Sequence, residues 1–122
     1  MAPGNASPPV WSRAPLQKGW PKDMSAYVIA LLKITDPTPM DQYRREVGAV
    51  VESFEGRYLF AGPGAEALEG DSAPDTMAII EFPTREDAQR WYDSSDYRPL
   101  RELRQTAGFT SMIVTPDTTS LA

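Results

Sequence analysis

After a patternless start, the apolar positions of the chain fall into strand-like runs and helix-like stripes. Residues 26–34 (AYVIALLKI) form a short β-branched, apolar run closed by Asp36, Pro37 and Pro39, which predicts a first strand. Met40, Tyr43, Val47, Val50, Val51 and Phe54 then recur at three- and four-residue steps. That is one apolar stripe of a helix, with Thr38 as its N-cap, Pro39 at its first position and Gly56 just past its end. Residues 57–61 (RYLFA) and 76–82 (TMAIIEF) predict a second and a third strand, joined by a long hairpin-like connection rich in Gly, Pro and Asp. A second helix is capped by Thr84 and buries Ala88, Trp91 and Tyr92. It breaks around residues 94–96, because Pro99 is tolerated only in a first turn, and resumes through Leu100, Leu103 and Ala107 to Gly108. Residues 109–114 (FTSMIV) are the fourth strand.

The order βαββαβ with short right-handed connections predicts an α+β, ferredoxin-like fold, a four-stranded antiparallel sheet with both helices on one face. The other face is bare. Burying it against a second copy removes a large apolar patch from water, so the expected assembly is a homodimer whose two sheets close face to face, leaving a cavity within each protomer. The barrel domain is expected over residues 24–117, with a polar tail at 118–122. Residues 1–23 hold five of the twelve prolines and no period, and read as an extended arm. The plainer reading is a disordered leader or an upstream start, with Met24 opening the domain; the functional one has Trp11 or Trp20 pack over a partner subunit or a pocket mouth, where large rings gain most from docking.

Composition narrows the chemistry by what is missing. With no cysteine there is no thiol catalysis, disulfide or Cys-based metal centre, and with no histidine the commonest general base and metal ligand are gone. Neither a metal nor a cofactor is expected, and any chemistry falls to carboxylates, Tyr, Ser/Thr, Lys or Arg. Charge is uneven: residues 24–122 carry nine basic against sixteen acidic residues, a net −7. So acidic a domain repels phosphate backbones, and nucleic acid is not an expected partner. No apolar run approaches the roughly 20 residues of a membrane span, and no signal-peptide pattern opens the chain, so a cytoplasmic protein is expected. Gly62-Pro63-Gly64 lacks the lysine and the following helix of a phosphate loop and is expected to form tight turns at a pocket rim.

Alternation sorts the candidate site residues. On the first strand Tyr27, Ile29, Leu31 and Lys33 share one face; on the third, Met77, Ile79 and Glu81 do. The uniformly apolar opposite sets pack on the helices, which leaves Tyr27, Lys33 and Glu81 on the barrel face beside an apolar cavity. A carboxylate there has its charged form disfavoured, which suits Glu81 to acid–base work; its plainer role is to accept from Lys33, Arg57 or a backbone amide. Lys33, the only lysine after residue 24, could hold an anion or an enolate, and Arg57 could grip a carboxylate. Tyr43, Trp91, Tyr92 and Tyr97 sit on or beside helical stripes, where aromatic residues are core. The hydroxyls of Tyr92 and Tyr97 still need partners, so one of them is expected in the pocket. Ser111 is expected to face the cavity as a hydrogen-bond donor, with no histidine to make it a nucleophile.

AYVIALLKITDP, Gly56-Arg57-Tyr58-Leu59, Leu68-Glu69-Gly70-Asp71, Ile80-Glu81-Phe82-Pro83, Trp91-Tyr92 through Tyr97, and Leu103-Arg104 occur in that order. In this the chain resembles, from about residue 26 to residue 117, the domain-of-unknown-function family numbered 1330, within the dimeric α+β barrel superfamily. The resemblance implies a small-molecule protein of cyclase, isomerase or cofactor-independent monooxygenase type, with a carboxylate acid–base acting on a carbonyl- or phenol-bearing metabolite. A non-catalytic dimer that binds a small ligand is the alternative. Where the family pattern has a basic residue near Ala61 and polar residues near Leu31, this chain is apolar, which shifts the expected ligand toward a hydrophobic metabolite.

Overall fold

The computed structural model describes residues 25–118, so the arm with Trp11 and Trp20 lies outside the described residues, as do residues 119–122. The strands are β1 (Ala26–Ile34), β2 (Arg57–Gly62), β3 (Thr76–Phe82) and β4 (Gly108–Val114). The helices are α1 (Thr38–Ser53), α2 (Arg85–Asp93) and α3 (Arg98–Ala107). The strands lie side by side as β2-β3-β1-β4, each neighbouring pair antiparallel. This is the α+β, ferredoxin-like arrangement that the βαββαβ order predicts. Ser25 and Thr118 pair in a short bridge where the described chain enters and leaves the domain.

The helices pack where the alternation is wholly apolar. Val28, Ala30 and Leu32 of β1 are buried with Ile80 and Phe82 of β3 beneath Val47 and Val51 of α1, Trp91 of α2 and Leu100 of α3. Phe82, Trp91 and Tyr97 stack at this centre, with ring centroids 5.5 Å (Phe82–Trp91) and 4.2 Å (Trp91–Tyr97) apart. Each large apolar side chain buried there contributes roughly 1.5–3 kcal/mol. Among the described residues, no helix covers the opposite face of the sheet. Leu31, Phe60, Ile113 and Phe109 stay 38, 45, 58 and 76% exposed.

The structure departs from the sequence reading at both ends of α1 and inside β2. Thr38 is the first residue of α1 rather than its cap; its N–H donates to Oδ1 of Asp36 at 3.1 Å, so Asp36 supplies the acceptor at that end. The left-handed residue closing α1 is Glu55 (φ 70°), not Gly56. Gly56 N–H donates to the Val51 carbonyl at 3.0 Å and Glu55 N–H to that of Glu52 at 2.9 Å, the pair of bonds of a Schellman end. Gly56 is needed for space instead: a Cβ there would lie 2.5 Å from Cε1 of Phe82. Finally, Leu59 adds a bulge to β2, since Tyr58 pairs with Ile80 while Phe60 pairs with Ile79. Tyr58 and Ala61 therefore face the helices and Phe60 faces the open side. The break between α2 and α3 falls as expected, with Pro99 in the first turn of α3, and Thr84 Oγ1 caps α2 by accepting from Asp87 N–H at 3.0 Å.

Candidate functional site

Pairing of the strands brings three predicted site residues together. Glu81 stands opposite Tyr27 on β1 and opposite Arg57 on β2, so all three project from the open face. Arg57 Nε donates to Glu81 Oε1 at 3.0 Å. Glu81 is only 3% exposed, so its charge is held by the guanidinium beside it rather than by water. Burial, and next the Glu81 charge, push the Tyr27 phenol up from its ordinary range, so Tyr27 stays a hydrogen-bond donor at neutral pH. Ile29, Leu31 and Ser111 lie along the same face, Leu31 directly opposite Ser111. Lys33 does not join the group. It is six residues from Tyr27 along β1, about 20 Å, and its Nζ donates to the Ala73 carbonyl at 3.3 Å.

The cavity is on the other face. Between the sheet and α1 lies a partly open, largely apolar cavity of about 680 Å³, floored by Ala30, Ala78 and Met112 and walled by Met40, Tyr43 and Val47. That volume lies in the range of small-molecule pockets. Gly62 and Pro63 form part of its rim, as the Gly-Pro-Gly turn suggests, and Gly48 of α1 leaves open space where a side chain would stand. Tyr43 is the one predicted site residue whose side chain lines it.

Its polar end is built from residues buried for other reasons. The Tyr43 and Tyr97 hydroxyls share a hydrogen bond of 2.8 Å, in which either can donate, and Arg104 Nε donates to the Tyr97 oxygen at 3.3 Å. Arg104 is 3% exposed and Tyr97 fully buried. Burial pushes the phenols of Tyr43 and Tyr58 far above their ordinary range, so both remain protonated. Burial pulls the Arg104 guanidinium down, the phenol oxygen of Tyr97 pulls it up, and the net direction is up. The end of the cavity thus presents a fixed positive charge beside neutral hydroxyl donors. Among the described residues, no Asp or Glu lines it. Tyr92 sits apart, its ring under the Arg101 guanidinium at 4.8 Å.

Sequence reasoning missed Tyr58, Arg44 and Arg104 at the cavity. A signal for Arg104 was present: it follows Leu100 by four residues and precedes Ala107 by three, a charged residue inside an apolar stripe. Tyr58 carried one too: it alternates with Arg57, so once Arg57 faces Glu81 on the open side, Tyr58 faces the helices.

The family described as Domain of unknown function (DUF1330) matches residues 25–117. The chain belongs to this family. A search of curated proteins finds no match. Among solved structures, the DUF1330 chain is similar to a protein of unknown function from Rhodopseudomonas palustris (TM-score 0.61, 20% identity, 76% of this chain and 82% of that one). It is also similar to SnoaB, a cofactor-independent oxygenase from Streptomyces nogalater (TM-score 0.55, 11% identity, 81% and 97%). A third is described as a dimeric ferredoxin-like protein of unknown function from Jannaschia (TM-score 0.56, 10% identity, 75% and 97%). At these identities the likeness is one of fold. No described helix is long and apolar enough to cross a membrane, and the described residues hold no cluster of His, Cys, Asp or Glu that could bind a metal ion.

Proposed function

We propose that this DUF1330 protein is a homodimer that acts, without a cofactor, on a small, largely apolar molecule bearing a phenol, enol or carbonyl oxygen. The molecule occupies the cavity between the sheet and the helices. The observation that carries this reading is the cavity itself: some 680 Å³ of apolar wall ending in the Tyr43, Tyr97 and Arg104 group. With Tyr97 donating to Tyr43, the Tyr43 proton is left for an acceptor in the cavity, and Arg104 stabilises negative charge as it develops on that oxygen. The fold it shares with a cofactor-independent oxygenase supports chemistry of this type. In this reading Glu81, on the opposite face, pairs with Arg57 and Tyr27 at the seam between protomers, and the bare sheet face is covered by the second copy, as in neighbours described as dimeric.

A plain binding role is the second reading. It is favoured by the lack of a carboxylate among the residues lining the cavity, which leaves no strong base in contact with a ligand. One comparison separates the two. The purified protein, with nothing added, is screened for consumption of apolar phenols and enolisable diketones, beside the variant Gly48→Leu. Gly48 lines the cavity, and a Cβ at this position would meet nothing within 4 Å. Leucine therefore fills the space without a clash at Cβ and removes a glycine from a helix. Turnover by the parent protein, abolished in an equally stable Gly48→Leu, supports the enzyme. Binding without turnover, lost in the same variant, supports the carrier. Binding unaffected by Gly48→Leu contradicts the cavity as the site.

A further inference from the structure

Arg104 is a buried cation with no carboxylate partner among the described residues. Among the described residues the ion pairs are Arg44 with Asp41, Arg57 with Glu81, and Arg90 with Glu86 and Asp87; none includes Arg104. Its hydrogen-bond partner is a neutral phenol, the Tyr97 hydroxyl, and the other titratable groups facing the cavity are the phenols of Tyr43 and Tyr58 and the exposed Arg44. The end of α3 lends some negative potential, since Arg104 lies in its last turn. That offsets part of the cost of burying a guanidinium and leaves its charge unneutralised.

We infer that Arg104 is a specificity-determining residue, and that the cavity selects a ligand carrying an oxyanion, a phenolate or enolate or a carboxylate, on an apolar body. This rests on the reading of the cavity as the ligand site. The chemistry follows from the donor set. A guanidinium presents a planar fork of N–H donors suited to a two-oxygen or delocalised anion, and only one of its donors is used by Tyr97. The Tyr43 hydroxyl adds a neutral donor beside it, and the remaining walls, Met40, Val47, Ala78 and Met112, offer an anion nothing but suit an aromatic or aliphatic body. Arg44 at the same cavity is 57% exposed and held loosely by Asp41 at 4.0 Å, a second positive charge on the approach. An acidic chain that places two arginines and, among the described residues, no carboxylate around this apolar cavity is arranged to admit anions that the rest of its surface repels.

The test is equilibrium binding to the full chain of two probe pairs, 4-nitrophenol against 4-nitroanisole at a pH where the free phenol is ionised, and benzoate against methyl benzoate. Each pair keeps its apolar body and differs in charge. At least one anion is expected to bind about ten- to a hundred-fold tighter than its methylated partner, the effect of a charge-assisted hydrogen bond. The pair that shows it identifies the anion class. The preference is expected to vanish in Arg104→Met and to persist in part in Arg104→Lys; if Arg104→Met does not fold, the ratio in the parent protein still decides. Equal affinity within both pairs, with binding lost in Gly48→Leu, overturns the inference and leaves the cavity reading intact, as does a preference that survives in folded Arg104→Met. Failure of all four probes to bind overturns both.

Discussion

Glu55 shows how a single residue sets a junction. It occupies the left-handed position that ends α1 and starts the turn into β2, where a non-glycine residue costs roughly 1 kcal/mol. Gly56 beside it cannot take that cost away, because it is committed to the close approach of Phe82. Glu55→Gly is therefore expected to stabilise the protein by up to about 1 kcal/mol, seen as a higher urea midpoint at unchanged slope; an unchanged or lower midpoint would contradict the Schellman account. Local sequence named the glycine and the turn but not which residue bends, since that depends on what presses on Gly56 from the sheet. Glu81 makes the same point for the site. Its face was legible from strand alternation and Arg57 stood among three candidate partners, whereas its separation from the cavity depends on which side of the sheet the cavity forms.

Among the elements, those with clear periods were legible almost to the residue: β1 and β3 coincide with their predicted spans, and the break before α3 follows from Pro99. The bulge in β2 was not legible, because an extra residue in one strand is defined only by the register of its neighbour, and it puts Phe60 on the open face and Ala61 at the cavity. The sheet's open face follows from alternation and carries the assembly prediction. Phe109 and Ile113 on edge strand β4 are 76 and 58% exposed, and each would contribute roughly 1.5–3 kcal/mol if buried against a second copy. By light scattering the parent chain is expected to be a dimer and the double variant Phe109→Lys/Ile113→Lys a folded monomer. A variant that remains dimeric would place the interface elsewhere.

At the scale of the whole molecule, the fold puts on opposite sides of the sheet the cavity and the candidate site residues that the sequence reading placed on one surface. Tyr27, Ile29, Leu31, Arg57, Glu81 and Ser111 share the open face, while Tyr43, Tyr97 and Arg104 gather on the helix side around the cavity. Alternation told which residues share a face; it did not tell which face encloses space, because that volume is set by the distance between α1 and the sheet and by small residues such as Gly48, Ala30 and Ala78. The central claim, that ligand binds on the helix side, is tested most directly by the methionine methyl resonances. The chain has five methionines, and Met40 and Met112 line the cavity from opposite sides, helix and sheet. Titration of methyl-labelled protein with 4-nitrophenol is predicted to shift the Met40 and Met112 signals together, and to shift neither in Gly48→Leu. Saturable binding that leaves both signals in place would contradict the account and move the site to the open face around Glu81.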